Sequence, residues 1–218
     1  MRLKIAVPMM LLLLLCACGA AEESAQTAVS LRTNLVSSGE CSFFTDLKAD
    51  YGTYVREFNL ACHSVVSGET RLTVLGPQTA EGVTATVSGN GADVSFGDTV
   101  LAVEQFETRR ISPMAAPYLL CKAWSEGYIA ATGKDGEFET AEYTLGYGAE
   151  QLSITTWFQG GLPLRAEISD GKSALITCTI SDFTMQKTKE DDGNATQPEQ
   201  PEVSETDLGG GESGQAPS

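Results

Sequence analysis

The chain has 218 residues, 42% of them apolar, and a formal charge of −15 at pH 7 from 14 basic and 29 acidic residues. That is enough sequence for one domain of ordinary size plus tails. A balance this acidic excludes electrostatic recognition of nucleic acid or of anionic lipid headgroups.

The first segment reads as a targeting signal, residues 1–17. Arg2 and Lys4 give it a positive start, and Ile5 to Leu15 an apolar run with five consecutive leucines from Leu11. The run is shorter than the ~20 apolar residues a membrane-spanning helix needs, and it suits the core of a secretory signal. It ends in Leu15-Cys16-Ala17-Cys18-Gly19, which resembles the bacterial lipobox. In that motif a leucine stands three residues before the modified cysteine and a small residue directly before it. The sulfur of Cys18 would carry diacylglycerol as a thioether, with acyl chains of the palmitate class. Cys16 fits less well, because bulky Leu15 precedes it. The alternative is an ordinary secretory signal with an incidental cysteine. Two or three acyl chains hold a protein on a membrane where one is marginal. Cleavage removes Arg2 and Lys4 and no acid, so the charge falls from −15 to −17.

After a short tether, 18–23, a helix is predicted over 24–38. Ala25, Ala28, Leu31, Leu35 and Val36 stand near helical spacing, and Gly39 stops it. Alternating strands follow at 41–49, 54–66, 69–75, 82–88, 92–96 and 99–106. Turn pairs Ser67-Gly68, Asn90-Gly91 and Gly97-Asp98 separate several of them. Ser112-Pro113 and Pro117 open a second helix with Tyr118 to Ser125 as its regular part and Gly127 beyond its end. A second meander is predicted at 128–133, 137–147, 151–158, 163–169 and 173–185. Asp135-Gly136 and Asp170-Gly171 are its hairpin turns. Residues 188–218 hold eight acids against one lysine and almost no bulky apolar residue, so they read as a disordered acidic tail. The domain is thus 24–187: an α+β fold with a curved antiparallel sheet whose concave face the helices cover.

Six cysteines become five on cleavage, and Cys18 takes lipid. Cys41, Cys62, Cys121 and Cys178 remain, with three possible pairings in an oxidising compartment, or none if all four are buried thiols. A turn at Tyr51-Gly52 would oppose Cys41 to Cys62 across the first hairpin, a non-hydrogen-bonded position within reach of a disulfide. Cys121 shares a helix face with Trp124, and Cys178 a strand face with Ile176 and Ile180. These two are either a second bridge, stapling helix to sheet, or neighbouring thiols.

The order of short motifs resembles the LolA/LolB/LppX-like family of bacterial lipoproteins and lipoprotein carriers. The motifs are Tyr54 to Leu60, Thr73-Val74-Leu75-Gly76-Pro77, Gly82-Val83, Ile111-Ser112-Pro113 and Asp182-Phe183, spread over about 40–187. The resemblance implies an unclosed antiparallel β-barrel lined by apolar residues and lidded by helices. It implies a lipid or lipoprotein acyl chain as ligand, with Phe58, Leu60, Trp124, Leu152, Ile154, Phe158, Leu164 and Ile168 as lining residues; the plainer alternative is that they fill an ordinary core. The acidic tail, the four domain cysteines and the lipobox depart from the soluble members, which puts a shuttling role in doubt. Some Gram-positive members are linked to sporulation and germination through protein partners. A non-catalytic adaptor that binds another exported protein, through the tail and exposed sheet edges, is therefore the second expectation.

An enzyme is the least supported reading. The chain lacks G-x-S-x-G, H-E-x-x-H and Walker motifs. Its one histidine, His63, lies on the opposite strand face from Cys62, and one histidine cannot make a multi-histidine metal site. No catalytic residue, metal or cofactor is expected.

Overall fold

The computed structural model describes residues 6–104, 112–148, 151–170 and 174–187, and within these the side chains of 22–102, 112–148, 151–170 and 176–186. The chain divides into two units, Met1–Thr188 and Lys189–Ser218. The second unit, and with it the predicted acidic tail, lies outside the described residues.

Helix α1 runs over Ala6–Ser38. The sequence predicts its start at residue 24, but Ala20, Ala21, Glu22 and Glu23 are strong helix formers and the helix continues through the expected tether. Gly39 ends it at φ +80°. Ala28, Leu31 and Leu35 are buried, whereas Val36 is exposed. The first meander follows as β1 (Gly39–Asp50), β2 (Val55–Val65), β3 (Thr70–Gly76), β4 (Thr84–Ser88), β5 (Gly91–Phe96) and β6 (Thr99–Glu104). A 3-10 turn at Pro113–Ala115, capped by the Ser112 hydroxyl accepting from the Met114 N–H, leads into α2 (Ala116–Glu126). The second meander is β7 (Tyr128–Asp135), β8 (Phe138–Leu145), β9 (Leu152–Gln159), β10 (Leu162–Ser169) and β11 (Ala174–Lys187).

Among the described residues, eleven strands form one antiparallel sheet in the order β6-β5-β4-β3-β2-β1-β11-β10-β9-β8-β7. The two meanders meet at β1 and β11, the first and last strands, and the sheet is open at β6 and β7. It must curve. Helix α2 packs against both β3 and β8, six strand spacings apart, about 29 Å in a flat sheet, whereas an 11-residue helix is only about 16 Å long. Bulges supply the bending. One lies opposite Phe43, where the β1–β11 register jumps between Ser42 and Phe44 and Asp182 takes φ +50°. Another lies between Pro163 and Arg165. Proline is tolerated in β10 because pairing with β11 starts only at Arg165.

Turn chemistry sets the registers. Gly160 and Gly161, at φ +60° and +81°, form the two-residue loop between paired Gln159 and Leu162, the left-handed pair a tight hairpin needs. The first hairpin departs from expectation. Asp50 accepts a bond from the Gly52 N–H at 2.8 Å, which widens the loop to Tyr51–Tyr54 and makes Asp50 and Val55 the closing pair. The register moves by two residues. Cys41 faces Ser64, and Cys62 faces Phe43, so the expected Cys41–Cys62 opposition is wrong. A shift of two preserves the face of every side chain, so Cys41 of β1 and Leu60 and Cys62 of β2 stay buried on one face, with His63 on the other. The predicted turn at Asp170-Gly171 falls partly outside the described residues.

Candidate functional site: the helix-covered inner face

The inner face of the sheet is mainly apolar, with Thr45, Ser64, Thr70 and Thr156 buried among its side chains. Cys41, Phe43, Leu47 and Ala49 of β1, Leu60 and Cys62 of β2, Leu72 and Val74 of β3, Ile154 and Phe158 of β9, Ala166 and Ile168 of β10, and Ile176, Cys178 and Ile180 of β11 are buried. Helix α1 lies over β7, β8, β1 and β11, and α2 over β2, β3 and β8.

Trp124 of α2 is the centre of this layer. It is fully buried, and its indole N–H donates to the Thr156 hydroxyl of β9 at 2.9 Å. Its ring meets Phe43 edge-on at 5.9 Å and Phe183 at 5.7 Å, and those two stack at 6.0 Å. The bulge opposite Phe43 is what brings Phe183 inward. One side chain binds the two helices together. The Arg32 guanidinium of α1 donates to the carbonyl oxygens of Trp124, at 3.1 Å, and of Gly127, placing a cation where α2 exposes its last carbonyls. Gly127 is required there by closeness: a Cβ on it would stand 2.6 Å from the Ala123 carbonyl oxygen.

Of the eight expected lining residues, Leu60, Trp124, Ile154, Phe158 and Ile168 are buried in this layer. Phe58 and Leu152 are half-buried and pack against it. Leu164 is the extra residue of the β10 bulge; Pro163 takes its inward place and is buried, and Leu164 is half-buried outside the core cluster. A surface cavity of about 230 Å³ is lined by Ser64, Tyr118, Cys121, Lys122, Ser125 and Glu126, among others, and another of about 180 Å³ by residues of β4, β5 and β6. Neither is lined by any of the eight.

Tyr143 of β8 was not anticipated from sequence. It is fully buried, and among the described residues its hydroxyl has no hydrogen-bond partner. Burial holds the phenol above its ordinary pKa, and the Arg32 guanidinium pulls it the other way. A buried hydroxyl without a partner costs about 1–3 kcal/mol, so a tyrosine here asks for an explanation that a phenylalanine would not.

The four domain cysteines are buried thiols. Cys121 does not reach for Cys178 as expected; its Sγ lies 3.6 Å from that of Cys41. The thiol contact with Cys121 and burial push Cys41 far above the ordinary thiol range. Burial alone raises Cys62 most, with smaller contributions from Cys121 and Cys178. Burial takes Cys178 to about 12, against the Thr45 hydroxyl, which favours its thiolate.

On the outer face, His63 Nδ1 is 3.0 Å from the Ser42 hydroxyl, and its Nε2 is 3.8 Å from a Glu40 carboxylate oxygen. The residue order is that of a hydrolytic triad, but the ring nitrogens are exchanged: in a triad the serine bonds Nε2 and the carboxylate Nδ1. The imidazole is 42% exposed on an open strand surface, and neither cavity reaches it. Among the described residues no group of three or more His, Cys, Asp or Glu side chains is arranged to hold a metal ion, and no helix is long and apolar enough to cross a membrane.

No family model and no curated protein matches the sequence. Among solved structures the chain is similar to a LolA superfamily protein from Nitrosomonas europaea, at 8% identity and a TM-score of 0.42, covering 74% of this chain and 94% of that one. It is similar to a DUF1329 family protein from Desulfovibrio piger, at 11% identity and a TM-score of 0.43, covering 76% and 93%. It is also similar to the lipoprotein LppX from Mycobacterium tuberculosis, at 14% identity and a TM-score of 0.34, covering 76% and 95%. Likenesses of this size say nothing of activity. Among the described residues the plan is an unclosed antiparallel sheet with two helices on its inner face.

Proposed function

We propose that the chain is a lipid-anchored extracytoplasmic lipoprotein whose inner face receives an acyl chain. The observation that carries this reading is the apolar sheet face held under two helices that belong to neither meander. The unpaired Tyr143 hydroxyl adds support: an ester or carboxylate oxygen of the ligand would accept its proton. The ligand's methylenes would replace helix side chains such as Leu31, Leu35 and Leu120, each buried methylene contributing about 0.8 kcal/mol. Binding then requires a helix to lift. In this reading residues 1–17 are the signal, 18–23 the lipidated tether, 24–187 the domain and 188–218 an acidic tail, with Cys18 carrying the lipid that attaches the chain to the membrane.

A second reading, an adaptor for another exported protein, is favoured by one feature. The β5–β6 hairpin leaves Phe96, Val100 and Leu101 62%, 63% and 64% exposed at an open sheet edge, a surface suited to pairing with another chain.

Native mass spectrometry of residues 19–218, exported behind an ordinary secretory signal, tests the first reading. The expected result is a bound phospholipid or fatty-acid mass that organic solvent removes. A clean apo mass together with no uptake of a fluorescent fatty acid would reject it and direct attention to the hairpin. Labelled palmitate incorporated by the full chain, and lost in Cys18→Ser, tests the anchor; retained label would move it elsewhere.

A further inference from the structure

We propose that Cys41 and Cys121 form a disulfide that locks α2 to β1, while Cys62 and Cys178 remain thiols. Sequence spacing pairs these cysteines differently, and the inference does not depend on what the inner face binds.

Three observations carry it. The Cys41 and Cys121 sulfurs are in contact at 3.6 Å, within about 1.6 Å of disulfide bonding distance. Cys121 lines the surface cavity of about 230 Å³ beside Ser64, Lys122 and Ser125, which gives an outside reagent a way to one sulfur of the pair. Cys178 is fully buried, and neither it nor Cys62 lines that cavity. Their strands place them apart, Cys62 opposite Phe43 on one side of β1 and Cys178 opposite Leu47 on the other.

The oxidant is a disulfide, small-molecule or protein, acting by exchange. The Cys121 thiol gives up its proton and attacks one sulfur of R–S–S–R, expelling one thiol and forming Cys121–S–S–R. Cys41 gives up its proton and attacks the Cys121 sulfur, expelling the second thiol. The pair loses two electrons, and the oxidant becomes two thiols. Cys41 is the poorer first nucleophile, being deeper and held protonated by its neighbour and by burial. The bond joins residues 80 apart in the chain and fixes α2 over the sheet. Helix α1 is then the part of the cover left to move.

Peptide mapping of the full protein gives a direct test. Trypsin places the four cysteines on separate peptides, 33–48, 57–71, 111–122 and 173–187. The protein is extracted from bacterial membranes with free thiols blocked. A second sample is reduced, refolded and incubated with glutathione disulfide. Expected in both is a linked 33–48/111–122 species, with 57–71 and 173–187 carrying the blocking group. A linkage in the refolded sample only would show that the chemistry is right and export into an oxidising compartment is wrong. Four blocked thiols in both samples, or a link to 57–71 or 173–187, would overturn the proposal. In the linked protein, reductant should lower the melting midpoint by roughly 10 °C; an unchanged midpoint would reject the bond as a lock on α2.

Discussion

The two ends of the sheet obey the same alternation and end differently. At the β7–β8 end, α1 lies across the inner face, and Ala141 and Tyr143 are buried to about the limit. At the β5–β6 end the inner face continues through Ala92, Val94 and Phe96, with Leu101 opposite Val94. Ala92 is buried and Val94 still packs on the core, but Phe96 and Leu101 are well over half exposed. Among the described residues the 3-10 turn carries this cover as far as β4. Period-two patterning therefore says which face a residue joins. Whether that face is sealed depends on what crosses it.

The sharpest way to expose this contrast is Trp124→Ala. Under the helices it removes the largest buried ring and the partner of Thr156, and it should cost about 3–5 kcal/mol in urea unfolding. A loss below about 1 kcal/mol would mean the layer is loosely packed. Alkali acts on the same covered region. The buried thiols of Cys62 and Cys178 keep their protons in the folded state to well above the unfolded thiol value of 9.0, Cys178 to about 12. Their contribution is whole below pH 9 and is lost as pH rises above it, because the unfolded chain ionises first. Stability should fall between pH 9 and 12 by up to about 2.7 kcal/mol per pH unit for the two. A flat urea midpoint across that window would show the thiols to be more hydrated than they are here.

Arg32→Leu frees two carbonyls at the end of α2 and should cost about 2 kcal/mol, while leaving the Trp124 fluorescence maximum in the buried range. A red-shifted maximum would show that Arg32 also holds the ring in place. Tyr143→Phe separates a ligand role from a structural one. Removing an unpaired hydroxyl should stabilise the unliganded protein by about 1 kcal/mol and weaken fatty-acid uptake. A destabilised variant with unchanged uptake would assign the hydroxyl to the fold. At the uncovered end, Leu101→Ser should change stability by less than about 0.5 kcal/mol. A larger loss would show that the hairpin is covered in solution, which would strengthen the adaptor reading.

Much of this protein was readable from local chemistry. Alternation and turn residues located all eleven strands, and Ser112, Pro113 and Pro117 located α2, because those signals act within a few residues. The inward sets of β1, β2, β9 and β11 followed from parity, which survives even a two-residue register error. What needed the tertiary structure was anything set by a small backbone deviation or by a partner distant in sequence. The Asp50–Gly52 bond moved Cys41 off Cys62, and the β10 bulge exchanged Leu164 for Pro163. The docking of α2 onto β1 put Cys121 beside Cys41, and the crossing of α1 over β8 buried Tyr143 with its hydroxyl unpaired. Side-chain pattern is written residue by residue along the chain. Register, pairing and cover depend on where a whole element comes to rest against another, and packing free energy summed over many residues decides that.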